Sequence, residues 1–442
     1  MFNKWLFLPF LWTILLSTVG FGESNGTVRI NLQKAIDLAL KNNESVLISR
    51  NNLKDAHAQI REAWADALPE IKLSGLYTRN FKLPVFFFPN PSTGEQTAFR
   101  IGSRNSYLLT LSVDQPLFQA GKISAGIKAA NYFKTFSAQG LSAVVSDLVL
   151  NTKKAFYQVQ LNKKLLEINQ QSLQQQLANL KNTRKLFAQG QVSELDTLRA
   201  WVKYTNLQPQ VIKSENALET SKNQLKETMG LNLQKNILIA EELTFEVVNI
   251  PKIEEIQQSA LRQRPEFKQL QLQSKILEQN IGVTRAELFP KLFLNGTYQT
   301  IAQSDKYDFG DGFQTSISGS VRLEFPLFSG FRKYAKLQQA KINYQNSLHQ
   351  TEQFKDQMLI DLSSTVLKIK EAEKRVQVQQ NAIKQAERAL YISQKQYNAG
   401  VGTQLELDDA LLSLNITRSN YIQAVVDYKI AVAELDKAIG RH

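Results

Sequence analysis

The feature that most constrains the fold is an internal repeat: short sequence motifs of the first half of the chain recur in the same order in the second half. Residues 65–77 read ADALPEIKLSGLY and residues 286–298 read AELFPKLFLNGTY, an offset of 221 positions. Residues 116–118 read PLF, and the same letters return at residues 326–328, an offset of 210 positions. A repeated unit buries its apolar surface against a neighbouring unit, so the sequence predicts two similar halves.

The change of offset locates a longer loop in the first copy, between Gly75 and Pro116. This loop, residues 82–104, is rich in proline. Each copy is predicted to run helix, strand, loop, strand, long helix, turn and helix. The predicted boundaries are residues 23–230 for the first copy, 231–252 for a linker and 253–442 for the second copy.

Four segments alternate between apolar and polar residues and are predicted to be strands, at about residues 70–80, 105–115, 291–301 and 314–325. In the first segment Ile71, Leu73 and Tyr77 share one face, and Lys72 lies on the other. Such segments are typical of the wall of a membrane β-barrel, apolar towards lipid and polar towards the lumen. The alternation alone also fits a soluble sheet that packs on helices.

Both copies are predicted to continue as long helical hairpins, at about residues 120–229 and 330–439. Residues 120–188 contain no proline, and about 69 helical residues give a rod of roughly 100 Å. Gly190 and Gly400 end the rods, and Pro209 is expected to kink or weaken the first returning helix. Apolar residues recur every seven positions in the rods, as in a coiled coil: Val159, Leu166, Leu173, Leu180 and Phe187, then Ile369, Val376, Ile383, Leu390 and Tyr397.

The first 22 residues are predicted to be a signal peptide. Lys4 precedes an apolar run from Trp5 to Leu16, and Gly20 and Gly22 form a small-residue cleavage site. The run is short for a membrane span, and no later stretch is apolar enough for a transmembrane helix. The mature chain is therefore expected to be exported, with membrane insertion left to its strands.

Composition argues against an enzyme and against a nucleic-acid partner. The chain has no cysteine and only three histidines, and it lacks HExxH, GxSxG and P-loop motifs, so no metal or other cofactor is expected. The formal net charge is +13, but the basic residues are spread along the helices among glutamine and asparagine. This spread favours solvated helix faces over a nucleic-acid surface.

Taken in order, the repeated motifs resemble the TolC-type outer-membrane efflux family over about residues 28–440. The markers are P-x-(I/L)-x-L-x-G-x-Y before a strand, PLF before a long helix, and the two tips FAQGQVSELD and YNAGVGTQLELDDA. Four strands per chain cannot close a barrel, for which single chains need at least eight. Assembly from several chains is therefore expected, as the resemblance also implies.

The resemblance implies a mainly α protein with a small membrane β-barrel. It implies a homotrimer in which a 12-strand barrel sits on a tunnel of 12 helices, in the outer membrane of a Gram-negative type bacterium and extending into the periplasm. The implied role is a passive exit duct for tripartite efflux or type I secretion. The implied partners are outer-membrane lipid, a periplasmic membrane-fusion adaptor, and an inner-membrane transporter of the RND, ABC or MFS type.

The resemblance also assigns roles to the tips. Adaptor docking falls on Gly190, Gln191, Gly400, Val401 and Gly402. A gate is implied at Tyr397, with acidic rings at Glu406 and Asp409 and a contribution from Asp196. The best-studied relative has an arginine where this chain has Gly402, so the closed state is expected to be held differently here.

Simpler interpretations of these residues stay open at the level of sequence. Acidic groups in the first turn of a helix also serve as caps, and Tyr397 also continues the coiled-coil pattern. For the whole chain the alternative is a soluble periplasmic coiled-coil adaptor or scaffold. The doubled hairpins and the apolar strand faces favour the duct.

Overall fold

The computed structural model describes residues 28–89 and 94–441, so the predicted signal peptide lies outside the described residues. The first copy comprises β1 (Val28–Ile30), α1 (Leu32–Asn42), α2 (Glu44–Ala65), β2 (Glu70–Arg79), β3 (Val85–Pro89), β4 (Gln96–Arg100), β5 (Asn105–Phe118), α3 (Lys122–Ala188) and α4 (Glu194–Thr228). The second copy comprises β6 (Ile237–Ile239), α5 (Ile253–Gln263), α6 (Pro265–Ala286), β7 (Lys291–Ser304), β8 (Gln314–Glu324), α7 (Arg332–Asn398) and α8 (Gln404–Ala438).

The helices of the two copies match in length. The long helices α3 and α7 have 67 residues each, and the returning helices α4 and α8 have 35 each. The preceding pairs are also equal, with 11 residues in α1 and α5 and 22 residues in α2 and α6. A helix of 67 residues is about 100 Å long, so each copy is an extended rod rather than a compact domain.

One four-stranded antiparallel sheet joins the copies, in the order β2-β5-β7-β8. Its register aligns Leu73, Leu111, Tyr298 and Ile317 in one row across all four strands. The next row holds Lys72, Ser112, Thr297 and Ser318. The alternation of the sequence thus becomes one apolar and one polar face. Leu73 and Ile317 are 68% and 79% exposed, so none of the described helices covers this apolar face there.

Two small sheets add to what the sequence predicted. The loop at residues 82–104 contains the β3–β4 hairpin. Strands β1 and β6, the first elements of the two copies, pair in parallel. Helix α4 continues through Pro209 as one element, so the proline does not end it.

The cores lie where the short helices meet the rods. In the second copy Phe267 of α6 packs with Leu362 and Ile369 of α7 and Tyr428 of α8. In the first copy Phe156 and Val159 of α3 pack with Leu225 of α4 and with β1 and β6.

Towards the tips the packing of the rods is less apolar than the heptad pattern predicted. Leu180 and Tyr397 are buried, but Phe187 is exposed. The buried positions of α3 there include Ser172, Gln176 and Thr183. Within residues 28–89 and 94–441, no helix combines the length and apolar character needed to cross a membrane.

Candidate gate and docking site at the hairpin tips

The first tip, the turn from α3 into α4, is shaped by local backbone motifs. Gly190 has φ 71°, and the N–H of Gln191 donates to the carbonyl of Leu186 over 2.9 Å, which forms a Schellman cap. A capping box follows: the Asp196 N–H donates to Ser193 Oγ over 3.2 Å, and the Ser193 N–H donates to Asp196 Oδ2 over 3.1 Å. These bonds leave Gly190 and Gln191 exposed at the end of the rod.

The second tip repeats this design at the turn from α7 into α8. Gly400 has φ 73°, and the Val401 N–H donates to the carbonyl of Gln396 over 3.1 Å. The Thr403 N–H donates to Glu406 Oε2 over 2.8 Å, and the Glu406 N–H donates to Thr403 Oγ1 over 3.3 Å. Val401 is 79% exposed, so this tip presents an apolar side chain to its surroundings.

Gly402 lies closely against the end of α7. A Cβ at this position would stand 3.0 Å from Gln396 Cβ and 3.1 Å from the backbone nitrogen of Tyr397. A larger side chain would therefore require the turn to shift. The position at which the best-studied relative has an arginine contributes no charge here.

The acidic residues predicted to form pore rings lie on the surface of α8. Glu406 and Asp409 are both exposed, and the Asp409 carboxylate has no hydrogen bond or ion pair within the described part of the chain. Hydrogen bonds from the Thr403 backbone and hydroxyl favour the ionised carboxylate and hold the pKa of Glu406 below its ordinary value. Glu406 therefore serves as a cap, and Asp196 has the corresponding position in the first tip.

Tyr397 is buried between the two hairpins. Its hydroxyl lies 3.1 Å from Thr183 Oγ1 on α3, and Thr183 Oγ1 also donates to Gln404 Oε1 over 3.5 Å. Tyr397 thus bonds across to the first hairpin through Thr183, while Asp196 remains engaged in its own cap. The side chain both packs in the seam and joins the two copies.

The structure adds a buried carboxylate that the sequence analysis missed. Asp408 has a side chain only 3% exposed, and Lys203 Nζ of α4 lies 2.8 Å from its Oδ2. Gln176 Nε2 of α3 donates to Asp408 Oδ1 over 3.2 Å. A buried carboxylate is costly unless it is paired and hydrogen-bonded, and this one has both kinds of partner. Gln404, Asp408 and Asn415 recur at helical spacing, a signal that places them on one face of α8.

Further contacts between α3 and α8 tie the copies together. Near the tip, Asn415 Nδ2 donates to Ser172 Oγ over 2.9 Å. Nearer the middle of the rods the ties are ionic: Lys153 with Asp436 at 3.1 Å, Lys154 with Glu434 at 2.6 Å, and Lys437 with Asp147. The junction of the copies is therefore polar along much of its length.

A cleft of about 500 Å³ opens beside Asp408, lined by Lys203, Asn206 and Asn415 among others. Gln176 Oε1 and Gln404 Nε2 are buried nearby without a hydrogen-bond partner within residues 28–89 and 94–441. Unsatisfied buried polar atoms weaken the packing of the surfaces that enclose them. The tip half of the junction thus combines one buried ion pair with unsatisfied buried polar atoms, whereas the middle has three ion pairs. No group of histidine, aspartate and glutamate residues suited to a metal ion occurs in the described ranges.

Residues 35–231 and 256–441 each match the family model described as "Outer membrane efflux protein". The two matches coincide with the two structural copies. The chain belongs to this family. It is an outer-membrane efflux protein, and the location and function class predicted from the sequence are confirmed. The family consists of transport proteins, and the soluble adaptor alternative is not favoured.

Named relatives resemble the chain over most of its length. The "Probable efflux pump outer membrane protein TtgC" of Pseudomonas putida is 23% identical over 418 residues, covering 92% of this chain and 82% of the relative. The "Cation efflux system protein CusC" of Escherichia coli is 24% identical over 411 residues, covering 92% and 85%. The crystal structure of VceC from Vibrio cholerae superposes with a TM-score of 0.75 at 18% identity, covering 93% of this chain and 96% of that one.

Proposed function

We propose that three copies of this chain close into one continuous exit duct. The observation that carries the proposal is the pairing of β5 with β7, which joins the two copies within a chain. Strands β2 and β8 are left as free edges of a four-stranded sheet with an exposed apolar face. In lipid, unpaired edge groups are costly, so a sheet in a membrane must close.

The repeat indicates how the edges meet. Strand β8 is the second-copy equivalent of β5, and β2 is the first-copy equivalent of β7, so β8 of one chain can pair with β2 of the next as β5 pairs with β7. Three chains then form a twelve-strand barrel, with the apolar face towards lipid. The four long and returning helices of each chain continue it as a tunnel of twelve helices in the periplasm.

The duct is passive, and its partners supply the energy and the cargo. The names of the relatives describe an outer-membrane protein of an efflux pump and a protein of a cation efflux system, which supports docking to a periplasmic adaptor and an inner-membrane transporter. The turns that contain the exposed residues Gly190, Gln191, Gly400 and Val401, together with the half-buried Gly402, are the proposed docking tips. Tyr397, Glu406, Asp409 and Asp196 lie next to them and form the proposed gate region.

Disulfide cross-linking tests the closure directly because the natural chain has no cysteine. Leu111 pairs with Tyr298 within the chain. Val321 is the second-copy equivalent of Leu111, and Tyr77 is the first-copy equivalent of Tyr298. The proposed closure therefore pairs Val321 of one chain with Tyr77 of the next. The double variant Val321→Cys, Tyr77→Cys should give covalent trimers in oxidised membranes, since paired residues approach within disulfide reach.

The matched control is Val321→Cys with Ile71→Cys, which moves one cysteine six positions along β2. It should remain monomeric on a non-reducing gel. Monomers from both variants would refute the proposed closure. A ladder of ever larger species would show that the chains associate without closing.

A further inference from the structure

An arginine lies on the apolar face of the sheet, at the end that is remote from the rods. Arg79 is the last residue of β2 and shares a face with Leu73 and Tyr77. Strand β2 begins shortly after α2, and β5 leads into the rod α3, so Arg79 lies at the opposite end of the sheet from the rods. A cation on the lipid side of a barrel is costly at the centre of the bilayer and tolerated near its boundary. In the proposed barrel, Arg79 therefore lies at the extracellular boundary of the membrane.

The loop between β7 and β8 holds the Arg79 guanidinium in place. Arg79 Cζ lies 4.3 Å from the centroid of the Tyr307 ring and 5.9 Å from that of the Phe81 ring. In the same loop, the Phe309 ring contacts Tyr107 of β5 with the centroids 4.9 Å apart. The loop thus lies across the apolar face of the sheet, and Tyr307 offers Arg79 a stacking surface. Tyr307 is 75% exposed and Phe81 is 93% exposed, so both rings can rotate to admit a ligand.

No acidic group neutralises this arginine. The Arg79 guanidinium has no hydrogen bond or ion pair in the described part of the chain, and its Nη1 atom is buried without an acceptor. The loop carboxylates are engaged by backbone donors: Asp305 Oδ1 accepts from the Arg104 N–H over 2.9 Å, and Asp308 Oδ1 accepts from the Gly310 N–H over 3.0 Å. A buried donor without an acceptor destabilises the protein, and an acceptor supplied by a ligand would remove that cost.

Two further cations flank the guanidinium. Lys82 follows Phe81 and Lys306 precedes Tyr307, and both lysines are exposed and outside any ion pair of the described ranges. The planar guanidinium of arginine matches the oxygens of a phosphate group in pairs, and lysine adds positive charge around it. The group of Arg79, Lys82 and Lys306 therefore suits a phosphate that approaches from the lipid side.

The proposed closure of the barrel leaves this site uncovered. Within the chain Leu109 pairs with Thr300. Gly319 is the second-copy equivalent of Leu109, and Arg79 is the first-copy equivalent of Thr300. Gly319 of the next chain would therefore lie opposite Arg79, and glycine has no side chain to cover the guanidinium.

We propose that Arg79, with Lys82 and Lys306, binds the phosphate of a phosphorylated glycolipid in the outer leaflet of the outer membrane. The acyl chains of this lipid lie along the apolar strand face at Leu73, below the phosphate. The inference rests on the proposed barrel, which places this end of the sheet at the extracellular leaflet. Each duct then has three such sites, one on each chain.

Native mass spectrometry of the full-length protein in mild detergent tests this, with purified diphosphoryl lipid A as the probe. Arg79→Thr introduces the residue of the second copy, and Arg322→Thr is the matched control on the opposite face of the same sheet. The wild type and the control should bind up to three lipids per trimer. Arg79→Thr should bind them about tenfold more weakly or worse, because hydrogen bonds to a charged group are lost. Arg79→Lys keeps the charge and should recover part of the affinity.

Two further probes identify the part of the ligand that is recognised. Dephosphorylated lipid A should bind the wild type as weakly as diphosphoryl lipid A binds Arg79→Thr, and inorganic phosphate should not displace the lipid. Equal binding of the two lipids, or equal binding by the wild type and Arg79→Thr, would overturn the site. Displacement by inorganic phosphate at concentrations similar to that of the lipid would overturn the assignment to a lipid.

The same spectra report the assembly, so the two proposals can fail separately. Trimers that bind both lipids equally would refute the glycolipid site and leave the barrel intact. Monomers that bind diphosphoryl lipid A through Arg79 would retain the site and refute the proposed closure.

Discussion

The helix-capping hydrogen bond of Glu406 and the charge of its carboxylate can be tested separately by mutation. Glu406→Gln keeps an oxygen that can accept from the Thr403 N–H but removes the charge that strengthens this bond. Because the pKa of Glu406 is lowered in the folded chain, its ionised form stabilises the fold above the ordinary pKa. That contribution is lost as pH falls through the lowered value.

The wild type should therefore have a higher thermal midpoint than Glu406→Gln at neutral pH, and the gap should narrow below about pH 4.5, the ordinary value. Helix circular dichroism from pH 7 to pH 3 measures both proteins. Thr403→Ala, which removes the hydroxyl of the cap, should cost about 1 kcal/mol at neutral pH and less in acid, because this hydroxyl also stabilises the ionised Glu406 carboxylate. A gap that widens in acid would contradict the role of the ionised carboxylate.

Mutations at the buried Asp408 site are expected to change the stability of the junction between the two hairpins. Lys203→Met leaves the buried carboxylate of Asp408 with only the Gln176 amide as a partner, so the free energy of unfolding should fall by about 1–3 kcal/mol. The double variant Lys203→Met, Asp408→Leu should recover much of this loss, because it removes the unpaired charge. Denaturant unfolding measures both.

The control for this pair is Lys222→Met at the ion pair with Glu219, where the glutamate side chain is 64% exposed. Its cost should stay below about 1 kcal/mol. Equal losses at the two sites would show that burial of Asp408 adds nothing to the pair.

At the scale of elements, the four helix-ending glycines divide into two kinds. A Cβ at Gly230 or Gly440 would meet backbone atoms at 2.8 and 2.9 Å. A Cβ at Gly190 or Gly400 would meet nothing within 4 Å, so substitution at the tips costs only left-handed strain. The tips are therefore the glycines at which docking can be tested without disturbing the packing.

Gly190→Tyr with Gly400→Tyr should abolish export while leaving assembled protein in the outer membrane. Asparagine tolerates the left-handed conformation, so Gly190→Asn with Gly400→Asn is the matched variant with less bulk and should retain more export. Survival of a deletion strain on a pump substrate, together with the amount of assembled protein, measures the effect. Full export by the tyrosine variant would mean that docking lies elsewhere.

The helices and strands could be predicted from the sequence because the patterns that specify them are local. The repeat and the alternation depend on residues close in the chain, and the register of the sheet keeps Leu73 and Ile317 in one row, as the alternation required. Pro209 was expected to kink or weaken α4, and α4 continues through it as one helix that packs along α3.

The site was less predictable because its partners come from different copies. The partners of Asp408 are Lys203 and Gln176, which precede it in the sequence by 205 and 232 positions. No local sequence pattern predicts contacts over such separations. The seven-residue pattern placed Phe187 in the seam, but the hairpins meet through Gln176 and Thr183 instead.

For the whole molecule, the pattern of contacts suggests where a duct of this kind moves. The middle of the rods combines apolar cores with three ion pairs between α3 and α8. The tip half holds the copies together through one ion pair, Lys203 with Asp408, and a few hydrogen bonds, and it contains buried polar atoms without partners in the described ranges. Separation of the hairpins at the tips therefore breaks fewer ion pairs than separation at the middle, so the proposed gate there could open while the proposed assembly stays intact.

The proposed trimer would also turn single carboxylates into rings. Three chains would bring three copies each of Glu406 and Asp409 to the narrow end of the tunnel, where rings of carboxylates favour cations and repel anions. Glu406→Gln with Asp409→Asn should remove most of the cation selectivity, measured as the reversal potential of single channels in a low-salt gradient, where screening is weakest. Thr403→Ala keeps both charges but weakens the cap, so it should lose stability and retain selectivity. If the double variant and the wild type have the same reversal potential, then Glu406 acts only as a cap, and the selectivity of the duct arises elsewhere along its wall.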